Sequence, residues 1–380
     1  MTNILQFIFN SIQSGCTHII IGETHGSQSG LRALAEIASQ LRYIKQQTGK
    51  NIVVLSESLP AISQTESVSF STNTFNAYKG KKSFDWEDAE ILHHHGIGVF
   101  GLENHQTNPA LNCKTKEDID AFLLELDEEL YHNFIQRYVK DKPPLDFELY
   151  SLYAMVMYNN SIYRTTIPNE IFCQYITQIP DDTICIVSCG AAHIPAAFLE
   201  SQIIDTGIES RLNDFGNAIS AYITIFDRKS MDLYTPKNEG GLLYESIDHV
   251  IRPTDNNIAH VILKTLQENI LKIQKSKHRN SSSNLKKLNA LLLLDNLINQ
   301  EIVYETSQYD TVNDLFDAWL EKNIRLNDKD YFVKDIIQKK SNRFFNKNNP
   351  IKNMVLNLRA EFGEMNLQDK IDLDQGLVYG

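Results

Sequence analysis

Residues 18–26 read His18-Ile19-Ile20-Ile21-Gly22-Glu23-Thr24-His25-Gly26, and this stretch decides the fold. A short continuous apolar run closed by glycine suits a strand buried on both faces of a parallel sheet. Apolar residues then recur at helical spacing over about Ser29 to Gln47: Leu31, Leu34, Ile37, Ala38 and Leu41 share one face, and Gly49 stops the helix. A second apolar strand, Ile52-Val53-Val54-Leu55, follows and ends at Ser56 and Glu57. Strand, helix, strand in that order calls for a right-handed crossover and parallel pairing.

The pattern continues outward. A polar stretch, Ser63 to Lys82, reads as an irregular rim segment. A helix at Asp85 to His95 precedes strand Ile97 to Leu102, which ends at Glu103. Helices are expected at about Lys116–Lys140, Asp146–Ser161 and Asn169–Gln178, followed by strand Thr183–Ser188, a helix near Ile194 and a last, edge-like strand over Ala218–Phe226. Ile4, Leu5, Ile8 and Ile12 give the N-terminus a short amphipathic helix. After about residue 245 only helical periodicity remains, over Ile258–Lys275, Leu285–Asn299, Val312–Lys322 and Tyr331–Asn342, broken at Ser276–Asn284. The expected fold is therefore α/β, a mostly parallel sheet with helices on both faces (1–235), followed by an all-helical C-terminal region (245–380).

Composition narrows the function. The 380 residues are 42% hydrophobic, enough for a real core, and carry a net charge of -12. That field repels a phosphate backbone, so nucleic acid is a poor partner; the lysines between Lys264 and Lys287 read as a solvated helix pair. Five scattered cysteines without a Cys-x-x-Cys pair form neither a disulfide framework nor a zinc ribbon, and fit a reducing compartment. No apolar run is long enough to span a bilayer, and the start of the chain lacks the features of a classical signal peptide. Cytoplasm, or delivery into a host cytosol, is the expected location.

The chemistry gathers at strand ends. Gly22-Glu23-Thr24-His25, Glu57, Glu103 with His105, and Gly190-Ala191-Ala192-His193 all follow strands. In an open parallel sheet the ligand crevice lies beyond the carboxyl ends of the strands, so these side chains converge on one edge. Glycine permits a sharp turn, and an imidazole three residues later can serve as general base or as neutral metal ligand. Carboxylates beside it can ligate, orient or trade a proton, although a glutamate at a strand end can equally cap the next helix. Arg164, between two expected helices, either clamps an oxyanion or carboxylate or pairs at a helix end. His93, His94 and His95 point to different helix faces and do not share a metal. Gly22, Gly26 and Gly30 match neither a dinucleotide loop nor a P-loop, and there is no Gly-x-Ser-x-Gly elbow.

These motifs resemble the TraB/Tiki superfamily, which groups erythromycin-esterase-like and ChaN-like proteins. Ile19 to Gly26 looks like its first Gly-x-x-His motif, Glu57 like the glutamate after the second strand, Ile186 to His193 like the second motif, and Arg164 like the arginine ahead of it. Glu103 matches less closely. The resemblance covers about residues 15–227. It implies metal-dependent peptidases, macrolide esterases or haem-binding proteins as relatives.

Three readings follow. The first is a hydrolase of an ester or amide in a small-molecule or peptide substrate, with Glu23, His25, Glu57, Arg164 and His193 as its catalytic residues. A divalent metal (Mn²⁺, Co²⁺ or Zn²⁺) on His25, Glu57 and His193 is a candidate cofactor, and Glu103 and His105 are further site candidates. The second is a haem- or small-ligand-binding protein of the same fold. The third is an effector-type interaction protein that docks a protein partner through its helical C-terminal region.

Overall fold

The computed structural model describes residues 2–24, 30–60, 84–103, 113–140, 142–159, 161–224, 233–236, 242–253, 257–305, 308–321, 323–326, 329–332 and 350–369. The chain divides into two compact units, Met1–Thr254 and Asp255–Gly380.

The first unit is built on a seven-stranded sheet of β1 (Thr2–Asn3), β2 (His18–Glu23), β3 (Asn51–Pro60), β4 (Gly98–Glu103), β5 (Thr183–Gly190), β8 (Ala218–Ile223) and β10 (Val250–Arg252). Their order is β1-β10-β8-β2-β5-β3-β4, and every pairing is parallel. The missing numbers, β6 (Ala197–Leu199), β7 (Gln202–Asp205) and β9 (Leu243–Tyr244), form a small separate antiparallel sheet.

Alternate residues of a strand face opposite sides, and both sides here are apolar. On one face Ile20, Leu55, Leu102, Cys185, Val187 and Cys189 pack with Phe172, Ile176, Ile208 and Leu212. Ile19, Ile21, Val54 and Ile186, in the intervening positions, are also fully buried. This is the two-sided burial that the isoleucine run of β2 requires.

Several expectations need correcting. The long helix after β2 is two helices, α2 (Gly30–Glu36) and α3 (Ala38–Thr48), and α4 is Phe84–His94. The helix expected from Lys116 to Lys140 breaks at Asp127 into α5 (Lys116–Leu126) and α6 (Glu128–Phe134), because the Asp127 side chain accepts from the Leu130 N–H and caps a new helix. Helix α7 (Phe147–Asn159) lies as expected, whereas α8 starts early, at Tyr163, and runs to Ile176. No helix begins at Ile194; a single 3₁₀ turn, Ala191–His193, leads into β6, and the next helix is α9 (Gly207–Asn213). Strand β8 lies between β10 and β2, so it is interior rather than an edge. Residues 250–252, assigned above to the helical region, supply β10 of the sheet.

The second unit holds α10 (Ile258–Gln274), α11 (Ser282–Val303), α12 (Val312–Glu321) and α13 (Pro350–Phe362). Trp319 is fully buried there, and its indole N–H donates to the Ala290 carbonyl at 2.9 Å. An antiparallel pair, Asn323–Leu326 with Lys329–Phe332, also belongs to this unit, so Tyr331 and Phe332 are strand where helix was expected. The rest of that expected helix lies outside the described residues. Among the described residues no helix is long and apolar enough to cross a membrane.

Candidate functional site

The two Gly-x-x-His turns leave neighbouring strands. β2 pairs with β5 so that Gly22 sits opposite Cys189 and Glu23 opposite Gly190. A β-carbon on Gly22 would lie 3.1 Å from the Ala191 Cα and 2.5 Å from the Ile194 Cδ1, so a larger residue there would displace the Ile194 side chain and press on the backbone of the second turn. The backbone therefore brings Gly22 and Glu23 beside Cys189 and Gly190, at the carboxyl edge where an open parallel sheet binds ligands.

Glu57 is the hub. It lies inside β3 rather than after it, where the register with β4 shifts between Ser56 and Pro60. Such a shift re-aims side chains. The carboxylate is 2% exposed. Its Oε2 accepts from the Gly190 backbone N–H at 2.7 Å, and its Oε1 accepts from Arg164 Nη2. Oε1 also lies 3.4 Å from His193 Nε2. A buried carboxylate survives when it is paired and hydrogen-bonded in this way.

Arg164 comes from the first turn of α8, not from a linker. Burial alone would lower its pKa, but Glu57, with Tyr158 and Glu103 behind it, outweighs that and holds the guanidinium above its usual value. Its Nη1 is shielded from solvent and has no hydrogen-bond acceptor among the described residues. Tyr158 is fully buried in the same field: burial first, then Glu103 and Glu57, push its hydroxyl up to about 12 against the opposing pull of Arg164. Glu103, at the end of β4, is thus electrostatically part of this cluster.

His193 is held on three sides. It closes the 3₁₀ turn after β5, is 4% exposed, and packs edge-on against the Phe172 ring at 5.4 Å. Its Nδ1 lies 2.7 Å from Asn169 Oδ1. Asn169 Nδ2 donates to Asp205 Oδ1 at 2.9 Å, and Asp205 Oδ2 accepts from Arg211 Nη2 at 2.7 Å. Sequence reasoning named neither Asn169 nor Asp205 as a site residue. Nothing local marks them, since one lies within a helix and the other ends a four-residue strand.

Glu23 is buried, and its Oε2 accepts from the Gly30 N–H that opens α2. It meets the helix-capping alternative raised above. His25 and His105 lie outside the described residues. The structure thus joins Glu57, Arg164 and His193 directly, adds Glu103 through its field, and gives Glu23 a capping contact.

A resident metal is not supported by the described donors. No group of three His, Cys, Asp or Glu is gathered among them, and both Glu57 oxygens already accept hydrogen bonds, one from a cation. Cys189, beside the cluster, is buried, and burial, then Glu57 and Glu23, push its thiol well above the ordinary value, which favours the protonated thiol.

No protein-family model matches the chain, and no curated protein sequence matches it. Solved structures similar to it at low identity include two of note. One is RRSP, a MARTX toxin effector domain from Vibrio vulnificus CMCP6, at 14% identity and a TM-score of 0.32, covering 65% of this chain and 39% of that one. The other is ChaN of Campylobacter jejuni, in a structure of its cofacial haem binding, at 12% identity and a TM-score of 0.30, covering 63% of this chain and 91% of that one. The chain spans well under half of the first of these. Likeness at this level carries no argument about activity.

Proposed function

We propose that the chain is a hydrolase of ester or amide bonds, acting at the carboxyl edge of its large sheet on a small-molecule or peptide substrate. The observation that carries this is the buried Glu57–Arg164–His193 cluster, in which Arg164 keeps one shielded donor, Nη1, without an acceptor among the described residues. A buried donor left unmet costs stability, and a substrate oxygen that becomes negative is the acceptor that repays it.

An imidazole takes a proton from water, and the resulting oxygen bonds to the carbonyl carbon. The carbonyl oxygen gains the negative charge and is received by Nη1. When the carbon–oxygen or carbon–nitrogen bond breaks, the proton returns to the leaving group. His193 is one candidate base, and His25, the partner histidine of the TraB/Tiki-like motif pair, is the other. Glu57 holds Arg164 through its Oε1, which also faces His193 Nε2 at 3.4 Å.

The haem-binding alternative has less support, because His193 Nε2 faces Glu57 Oε1 at 3.4 Å rather than an open apolar slot. The test is hydrolysis of ester and peptide panels, with and without added Mn²⁺, Co²⁺ or Zn²⁺, by the native chain and by Arg164→Met, His193→Gln and His25→Ala variants. Hydrolysis lost in Arg164→Met and in at least one histidine variant supports the proposal. Equal rates in all four proteins, or a haem Soret band abolished by His193→Gln with no hydrolysis, overturn it.

A further inference from the structure

We infer that Asn169 and Asp205 form a tautomer lock that keeps a proton on Nδ1 of His193 and so leaves Nε2, the nitrogen turned toward Glu57, as the one available to exchange a proton with substrate or water. The inference deepens the hydrolase reading of the same site, and names two positioning residues for it.

Donor and acceptor counting carries the argument. Asp205 is 2% exposed, and a carboxylate paired with a guanidinium accepts hydrogen bonds but cannot donate them. Its Oδ2 accepts from Arg211 Nη2 at 2.7 Å; its Oδ1 accepts from the Gly207 backbone N–H at 2.6 Å and from Asn169 at 2.9 Å. The group of Asn169 that faces Asp205 must therefore be its NH₂. Turning the amide over would set carbonyl oxygen against carboxylate oxygen in a site with no water exposure, since Asn169 is fully buried. The amide oxygen is then committed to the other side, where it meets His193 Nδ1 at 2.7 Å.

An amide oxygen only accepts, so Nδ1 must donate. The hydrogen bond made by one ring nitrogen settles which nitrogen carries the proton. The edge-to-face contact with Phe172, at 5.4 Å between ring centroids, packs the buried ring and opposes the flip that would exchange the two nitrogens. One helix, α8, thus supplies both halves of the device: Arg164 holds Glu57, and Asn169 holds the histidine that faces Glu57.

The test does not need a substrate. Protein labelled with ¹⁵N in its histidine rings is studied by long-range ¹H–¹⁵N correlation at neutral pH, and the His193 signals are assigned by their absence in His193→Gln. A proton-bearing Nδ1 in the native protein is the expected result; a neutral ring protonated only at Nε2 overturns the inference before Asn169 is altered. In Asn169→Leu, which keeps the volume but cannot accept, Nδ1 should lose its proton and the neutral ring should become Nε2–H. An unchanged Nδ1–H in that variant also overturns it. Where ester or amide hydrolysis has been found, Asn169→Leu should lower kcat by about 10²-fold with KM little changed. A native Nδ1–H without any hydrolysis on the panels leaves the lock standing and removes the hydrolase reading; hydrolysis with an Nε2–H ring does the reverse.

Discussion

Replacing Glu57 by Gln tests whether the buried cluster is one energetic unit. Glu57 accepts from Arg164 through one oxygen and from the Gly190 N–H through the other. An amide can offer an oxygen to only one of them and must turn its NH₂ toward the other donor. At least one hydrogen bond is lost outright, at about 1–3 kcal/mol for a buried group. The guanidinium also loses its counter-charge. Breaking a buried pair from one side typically costs about 3–5 kcal/mol, and the Arg164 side chain, still 21% exposed, should fall at the low end. The expected loss is about 3 kcal/mol. Arg164→Met alone strands the carboxylate and should cost a similar amount. Together they remove both charges, so Glu57→Gln with Arg164→Met should cost clearly less than the sum, with a coupling of about 2 kcal/mol. The assay is urea unfolding followed by fluorescence. The two tryptophans are Trp86 in the first unit and Trp319 in the second, so a Trp319→Phe background reports the first unit alone. Single-variant costs that add to within about 0.5 kcal/mol would refute the idea that these groups depend on each other.

Two further outcomes follow from the same structure. Gly22→Ala should destabilise the first unit by about 1–3 kcal/mol through overpacking against Ile194 and the Ala191 backbone, and Ile194→Ala should relieve part of it; a thermal midpoint equal to that of the native chain would show that the two turns are not packed as described. His95 is held down at about pKa 4, by burial first and then by Arg42 and His94, from its ordinary 6.5. The unfolded chain therefore takes up a proton that the folded one refuses between these values, so this contribution to stability is whole above pH 6.5 and falls as the pH drops toward 4. Its ceiling is about 3 kcal/mol, and partial exposure of the ring trims it to about 1–2 kcal/mol. His95→Gln should flatten the decline in urea midpoint across that range, and an equally steep decline in the variant would count against His95 as its source.

What could be read from the chain was whatever a few consecutive residues determine. The isoleucines of β2 and the apolar run of β5 announce buried parallel strands because burial on both faces leaves no polar alternation; Gly22 and Gly190 turn out to lie within those strands at ordinary backbone angles, and what Gly22 provides is room for Ala191 and Ile194 rather than a sharp turn. Parallel pairing then puts the carboxyl ends of these strands on one edge of the sheet; that β2 and β5 are direct neighbours was not legible, because no local signal sets the strand order. What could not be read depends on partners far apart in the chain. The glutamate of β3 and the arginine of α8 are 107 positions apart, and Asn169 and Asp205 are 36 apart. β10 enters the sheet between β1 and β8 through only three residues, too few to show a period. Glu23 and Glu57 look alike in sequence, each an acid near a strand end, yet one meets a helix N-terminus and the other a guanidinium and an imidazole. The difference lies in what each strand end faces. An acid opposite the first turn of the very next helix has its charge met by a backbone N–H, whereas Glu57 meets side chains from α8 and the turn after β5, and only the second arrangement gathers a carboxylate, a guanidinium and an imidazole that lie far apart in the chain.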